Sequence, residues 1–158
     1  MQGWKNRAFW LLENIEEASG AVILFLMVLL AFANVLTRYL IEYPLAFTEE
    51  LETNAFVIIT LLGISAGIKR DAHIRVLFLV KRFPPVLRKI LEFIAVILSF
   101  VLFATLFYES LGQLSDEISL QITTSSLNIP EWIYIAFIPL LTLLILFRII
   151  QSAIRSYK

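Results

Sequence analysis

With 59% apolar residues and a mean hydropathy of +0.85, this 158-residue chain has more apolar side-chain surface than a soluble domain of its size can bury. A soluble all-α core is therefore the weaker reading. The absence of cysteine excludes disulfides, thiolate metal sites and cysteine nucleophiles. Thirteen basic and 13 acidic residues cancel to a formal net charge of zero, so the position of each charge matters and the sum does not.

In chain order, the arm of residues 1–17 comes first. Trp4, Ala8, Leu11 and Ile15 recur at helical spacing, while Lys5, Arg7, Glu13, Glu16 and Glu17 fall elsewhere on the wheel, which predicts an interfacial amphipathic helix. The first apolar block follows, from Ala18 to Thr37. Its roughly 20 uncharged residues, at ~1.5 Å each, match a ~30 Å hydrocarbon core. Ala31-Phe32-Ala33 resembles a signal-peptide cleavage site, but the apolar run continues through Val35 and Leu36, and three glutamates crowd what would be the basic n-region. The block is read as a retained span.

Three further blocks, Thr53 to Ile68, Phe93 to Tyr108 and Trp132 to Phe147, are shorter. Each is roughly 16 residues, or ~24 Å of helix. Lys69, Arg70, Arg88, Lys89 and Arg148 at their flanks can extend charged heads to the headgroups while their stems stay in the apolar layer. Tyr43, Tyr108, Trp132 and Tyr134 sit near the boundaries, where amphipathic rings are favoured. Four spans are expected, at about 18–40, 49–69, 86–110 and 130–151.

The loops alternate in charge. Between the second and third blocks lie Lys69, Arg70, Arg75, Lys81, Arg82, Arg88 and Lys89, which the positive-inside rule assigns to the cytoplasm. The segment after the third block has Glu109, Asp116, Glu117 and Glu131 without a cation, and the one after the first has Arg38 against Glu42, Glu49, Glu50 and Glu52. Both are expected outside, with both termini inside. Within the basic loop, Asp71 can cap a short amphipathic helix with Ile74, Leu77 and Phe78 on one side and Arg75 and Arg82 on the other, stopped by Pro84-Pro85. It and the arm would anchor to lipid or extend sideways against a partner; the pattern leaves both open. The expected architecture is thus an all-α integral membrane protein with four transmembrane helices, N-in/C-in, and two interfacial amphipathic helices.

Membrane pumps and enzymes need ionisable or ligand groups at membrane depth. The middles of these blocks offer only Asn34, Thr60, Ser99, Thr105 and Thr142, and such side chains usually bond their own or a neighbouring helix. A bis-His haem subunit fails because the only histidine, His73, lies in the basic loop. A stand-alone four-span exporter acting as a homo-oligomer is the alternative, but its candidate acid, Glu92, sits one turn from Arg88 and Lys89 and can pair locally. No enzyme, cofactor, metal or nucleic-acid partner is expected.

What remains is packing material. Gly63 and Gly67 form a small-xxx-small face that can pack within the chain or on another. Thr48 can serve as N-cap of the second span with Glu49 and Glu50 in its first turn, and Arg38 is expected either to pair with one of these glutamates or to stand as an ordinary helix-terminal charge. The segment 113–128 fits a loop or a short packed helix equally well.

These landmarks carry a resemblance. Asn34 to Arg38, Pro44, Phe47-Thr48-Glu49-Glu50, Gly63 through Arg70, Asp71-Ala72-His73-Ile74, Leu127 through Trp132, Ile138-Pro139 and Arg148 together resemble the small membrane subunit of tripartite ATP-independent periplasmic (TRAP) transporters. Phe47 departs from the tryptophan that many members have there. The resemblance implies a non-catalytic subunit of the bacterial inner membrane. Its partners would be a large multi-span subunit carrying the sodium and substrate sites, a periplasmic substrate-binding protein and membrane lipids. The cargo would be an organic acid of the dicarboxylate or sialic acid type. It also singles out Arg38, Glu49, Glu50, Gly63, Gly67, Arg70, His73, Pro130 and Trp132 as structural or partner-interface candidates.

Overall fold

The computed structural model describes residues 15–42, 45–69 and 84–156. Most of the arm and the basic loop, including the expected amphipathic helices, lie outside the described residues, as do Arg70 and His73. Five helices account for most of the rest: α1 (Ile15–Leu40), α2 (Ala46–Lys69), α3 (Pro85–Leu120), α4 (Trp132–Ile135) and α5 (Phe137–Ser156). They make four apolar segments long enough to cross a membrane, Glu16–Leu40, Ala46–Lys69, Lys89–Leu120 and Trp132–Ile154.

Local chemistry sets the helix ends. α3 starts on Pro85, where the missing N–H costs no hydrogen bond and the fixed φ suits the first turn. It ends where Gln121 turns left-handed (φ 51°) and the N–H of Ile122 reaches the carbonyl of Glu117 at 3.3 Å. Its 36 residues make a rod of ~54 Å, well beyond a ~30 Å core. Residues 113–120 therefore continue the third helix instead of forming a separate element. Pro139 lacks the N–H that would reach Ile135, which separates α4 from α5. Ala136 between them keeps right-handed helical angles (φ −58°, ψ −25°), so the fourth span stays continuous.

The helices form an open layer. α1 packs on α2, α2 on α5, and α5 on α3, with α4 completing the contact to α3. The sequence-adjacent α2 and α3 are not packed as neighbours, because α5 lies between them. The core sits at the centre of the layer, where Leu61, Leu62 and Ile68 of α2 meet Leu141, Ile145 and Ile149 of α5. The outer helices α1 and α3 instead expose large apolar side chains such as Phe25, Phe32, Leu98 and Leu102. Faces of that kind are unsuited to water and ordinary against acyl chains.

Candidate functional site

Two polar assemblies hold the layer, one at each end. At the end where α1 begins, Glu16 is only 3% exposed. Its Oε1 accepts from Arg148 Nε at 3.0 Å and Nη2 at 2.5 Å, and its Oε2 accepts from Ser65 Oγ at 3.0 Å. Arg148 also donates through Nη1 to Gln151 Oε1 at 2.9 Å. One carboxylate thus joins α1, α2 and α5, and the two-pronged guanidinium contact matches the carboxylate geometry that makes such pairs strong. Ser65 is fully buried and next to the apolar core.

This cluster corrects two sequence expectations. Glu16 is part of α1 and turned inward, not on the polar face of an interfacial arm, and Arg148 spends its guanidinium on Glu16 and Gln151 instead of reaching for headgroups. Glu16 and Arg148 lie 132 residues apart, so no local pattern links them.

At the opposite end, Asn34 Oδ1 accepts the N–H of Leu45 at 3.0 Å, tying α1 to the residue that precedes α2. Thr48 is not the N-cap. Because α2 begins at Ala46, Thr48 lies inside the first turn, fully buried, and its hydroxyl donates back to the carbonyl of Leu45 at 2.6 Å. The turn between α3 and α4 docks here too, through Ser126 N–H donating to Glu50 Oε2 at 2.9 Å. That turn is held by a backbone bridge between Thr123 and Pro130, by Thr124 N–H to Ile129 O at 2.9 Å and by Glu131 N–H to Ile122 O at 3.0 Å. Asn128 takes the left-handed conformation (φ 52°) that asparagine tolerates.

The candidate residues divide accordingly. Glu50 bonds this turn through Ser126, Pro130 closes the turn through its bridge to Thr123, and Trp132, 41% exposed, opens α4 beside it. Arg38 is exposed, and among the described residues it forms no ion pair with Glu49 or Glu50. In place of the expected pair, Glu50 Oε2 takes a backbone donor from Ser126. Glu49, Thr53, Phe56, Thr60 and Gly63 share one exposed face of α2, continued by half-buried Gly67. A Cβ added at Gly63 or Gly67 would meet nothing within 4 Å, so the glycine face is not used in packing among the described residues. The Thr53 and Thr60 hydroxyls are satisfied by the carbonyls of Glu49 and Phe56. Among the described residues, no group of three or more His, Cys, Asp or Glu could hold a metal ion.

Comparison with known proteins gives the family. Residues 27–158 match the family described as tripartite ATP-independent periplasmic transporters, DctQ component. The chain is 26% identical over 147 residues to the sialic acid TRAP transporter permease protein SiaT of Haemophilus influenzae, an alignment covering 93% of this chain and 24% of that protein. It is 37% identical over 95 residues to the C4-dicarboxylate TRAP transporter small permease protein DctQ of Vibrio cholerae, covering 60% of this chain and 41% of the relative. The alignments therefore span about a quarter and two fifths of these curated relatives. The family match covers most of the chain, and the four apolar helices agree with it: the chain belongs to the DctQ-component family of TRAP transporters and is a multi-pass protein of the bacterial inner membrane.

Proposed function

We propose that this chain is the non-catalytic small membrane subunit of a sodium-coupled TRAP importer for an organic acid, and that it braces a large multi-span subunit in which transport takes place. The observation that carries the reading is the alignment with SiaT, in which nearly all of this chain corresponds to one quarter of a longer permease. A unit of that kind is suited to support the remainder of a permease. The names of the two relatives, one for sialic acid and one for C4-dicarboxylates, support a carboxylate-bearing small molecule as the cargo.

The open layer suits a brace. Polar bonds from α1 to the start of α2 and to α5 tie it at both ends, and its broad apolar faces suit the bilayer. The exposed face of α2 bearing Gly63 and Gly67 is where we place a helix of the large subunit, since small residues let backbones approach closely. By the positive-inside rule, the Arg148 end faces the cytoplasm and the Glu50 end the periplasm. The acidic outer end, with Glu49, Glu50, Glu109, Asp116, Glu117 and Glu131, would then help dock the periplasmic binding protein. Arg70 and His73 would belong to the cytoplasmic side of the brace.

Affinity purification from gently solubilised native membranes tests this reading. Recovery of a multi-span membrane protein in fixed ratio supports it, and recovery of homo-oligomers of this chain alone refutes it.

A further inference from the structure

We propose that Glu16 and Asn34 are register pins for α1, and that the two sets of polar bonds they anchor, rather than apolar packing, decide where α1 sits along the layer. The case starts from how little of α1 is enclosed. Between residues 20 and 40 the half-buried positions are Gly20, Ile23, Met27, Leu30, Asn34 and Thr37, and every other position is exposed. Glu16, four residues before Gly20, extends the same line and is buried. The spacings alternate strictly between three and four, which makes a seam one residue wide.

Through its middle, from Ile23 to Leu30, such a seam is degenerate. Sliding α1 by one turn replaces Ile23 with Met27 or Met27 with Leu30, so one medium-sized apolar side chain takes the place of another. In a bilayer the exposed faces gain nothing by choosing one position over another, because lipid is as apolar as the seam itself. The connection does not settle the matter either. Residues 41–45 can extend ~17 Å, ample for a one-turn shift of ~6 Å between packed helices.

The two ends of the seam are different in kind. Glu16 meets Ser65 and Arg148, and Asn34 meets the N–H of Leu45. Sliding by one turn breaks both sets at once and parts a buried carboxylate from its guanidinium, a loss that apolar contacts elsewhere in the seam do not offset. A polar group within an apolar seam is the best-attested device for choosing one register among near-equals.

Disulfide crosslinking of the full chain in native membranes tests the proposal, and the natural absence of cysteine leaves the background clean. The contacts of Glu16 with Ser65 and of Asn34 with Leu45 put Ile23 level with Ile58, and both side chains pack against the central core. The pair Ile23→Cys/Ile58→Cys therefore reports the observed register, and Met27→Cys/Ile58→Cys reports a one-turn slip. With the pins intact, the first pair should crosslink at least about tenfold more than the second. Replacing Glu16, Arg148 and Asn34 together by leucine should abolish that preference, and the swap Glu16→Arg/Arg148→Glu with Asn34 intact should restore it. A third pair, Leu62→Cys/Ile145→Cys, reads the α2–α5 core independently.

Loss of both α1 products with the core pair intact also supports the pins, since α1 has then left its seam. Unchanged register in the leucine variant, failure of the swap to restore it, or loss of the core pair in the leucine variant would overturn the proposal.

Discussion

Replacing Arg148 alone should be among the most damaging single changes to this fold. Arg148→Leu removes both charged donors from Glu16 Oε1 and leaves a carboxylate that is 3% exposed with Ser65 as its remaining donor in the cluster. Breaking a buried pair by deleting one partner costs ~3–5 kcal/mol, most of it the penalty of the orphaned charge. Removing both charges, Glu16→Leu/Arg148→Leu, leaves no orphan and should cost less than ~1 kcal/mol. The difference between the single and the double variant, about 2–4 kcal/mol, is the penalty of the orphaned carboxylate, and Glu16→Leu completes the double-mutant cycle that gives the coupling of the pair. Unfolding by sodium dodecyl sulfate titration in mixed micelles, followed by far-ultraviolet circular dichroism, measures it. A single variant costing under ~1 kcal/mol, or a double variant as unstable as the single, would refute the reasoning.

Three further predictions follow from the same geometry. Asn34→Leu leaves the Leu45 N–H without its side-chain acceptor and should cost ~1–2 kcal/mol in the same titration, with an unchanged stability refuting the role. Gly63→Leu should leave the isolated chain at least as stable, because its Cβ has open space and leucine favours helix by up to ~1 kcal/mol over glycine. The same variant should lose the large subunit on purification; destabilisation of the isolated chain would instead place the glycine face inside this fold. For orientation, Ser125→Cys should react with an impermeant maleimide added to intact spheroplasts, and Lys158→Cys only after permeabilisation. The reverse pattern would invert the topology.

The four apolar helices were legible because hydrocarbon imposes a long uncharged run on each span and leaves charge to the ends. The open layer was not. Nothing in the blocks themselves states that α5 inserts between α2 and α3, since that depends on Leu61, Leu62, Leu141 and Ile145 meeting across distant parts of the chain.

The polar clusters were partly legible. Asn34 stood out as a polar residue in an apolar block and is used between α1 and the start of α2. Glu16 was hidden among charged neighbours, although continuing the line of Asn34, Leu30, Met27, Ile23 and Gly20 backward by one step lands on it. Thr48 was placed at a cap because the helix was expected to start at 49, whereas the bond from Leu45 to Asn34 lets α2 begin at Ala46. Arg38 was expected to pair with Glu49 or Glu50 from charge and the antiparallel packing of the first two spans, whereas Glu50 Oε2 takes a backbone donor from a turn 76 residues away.

Reconstituted uptake is the most direct test of the central claim that this chain supports transport without performing it. Proteoliposomes holding the large subunit and this chain, supplied with the binding protein and a sodium gradient, should accumulate the organic acid. Omission of either membrane chain should abolish that uptake. Accumulation by this chain alone would contradict the account.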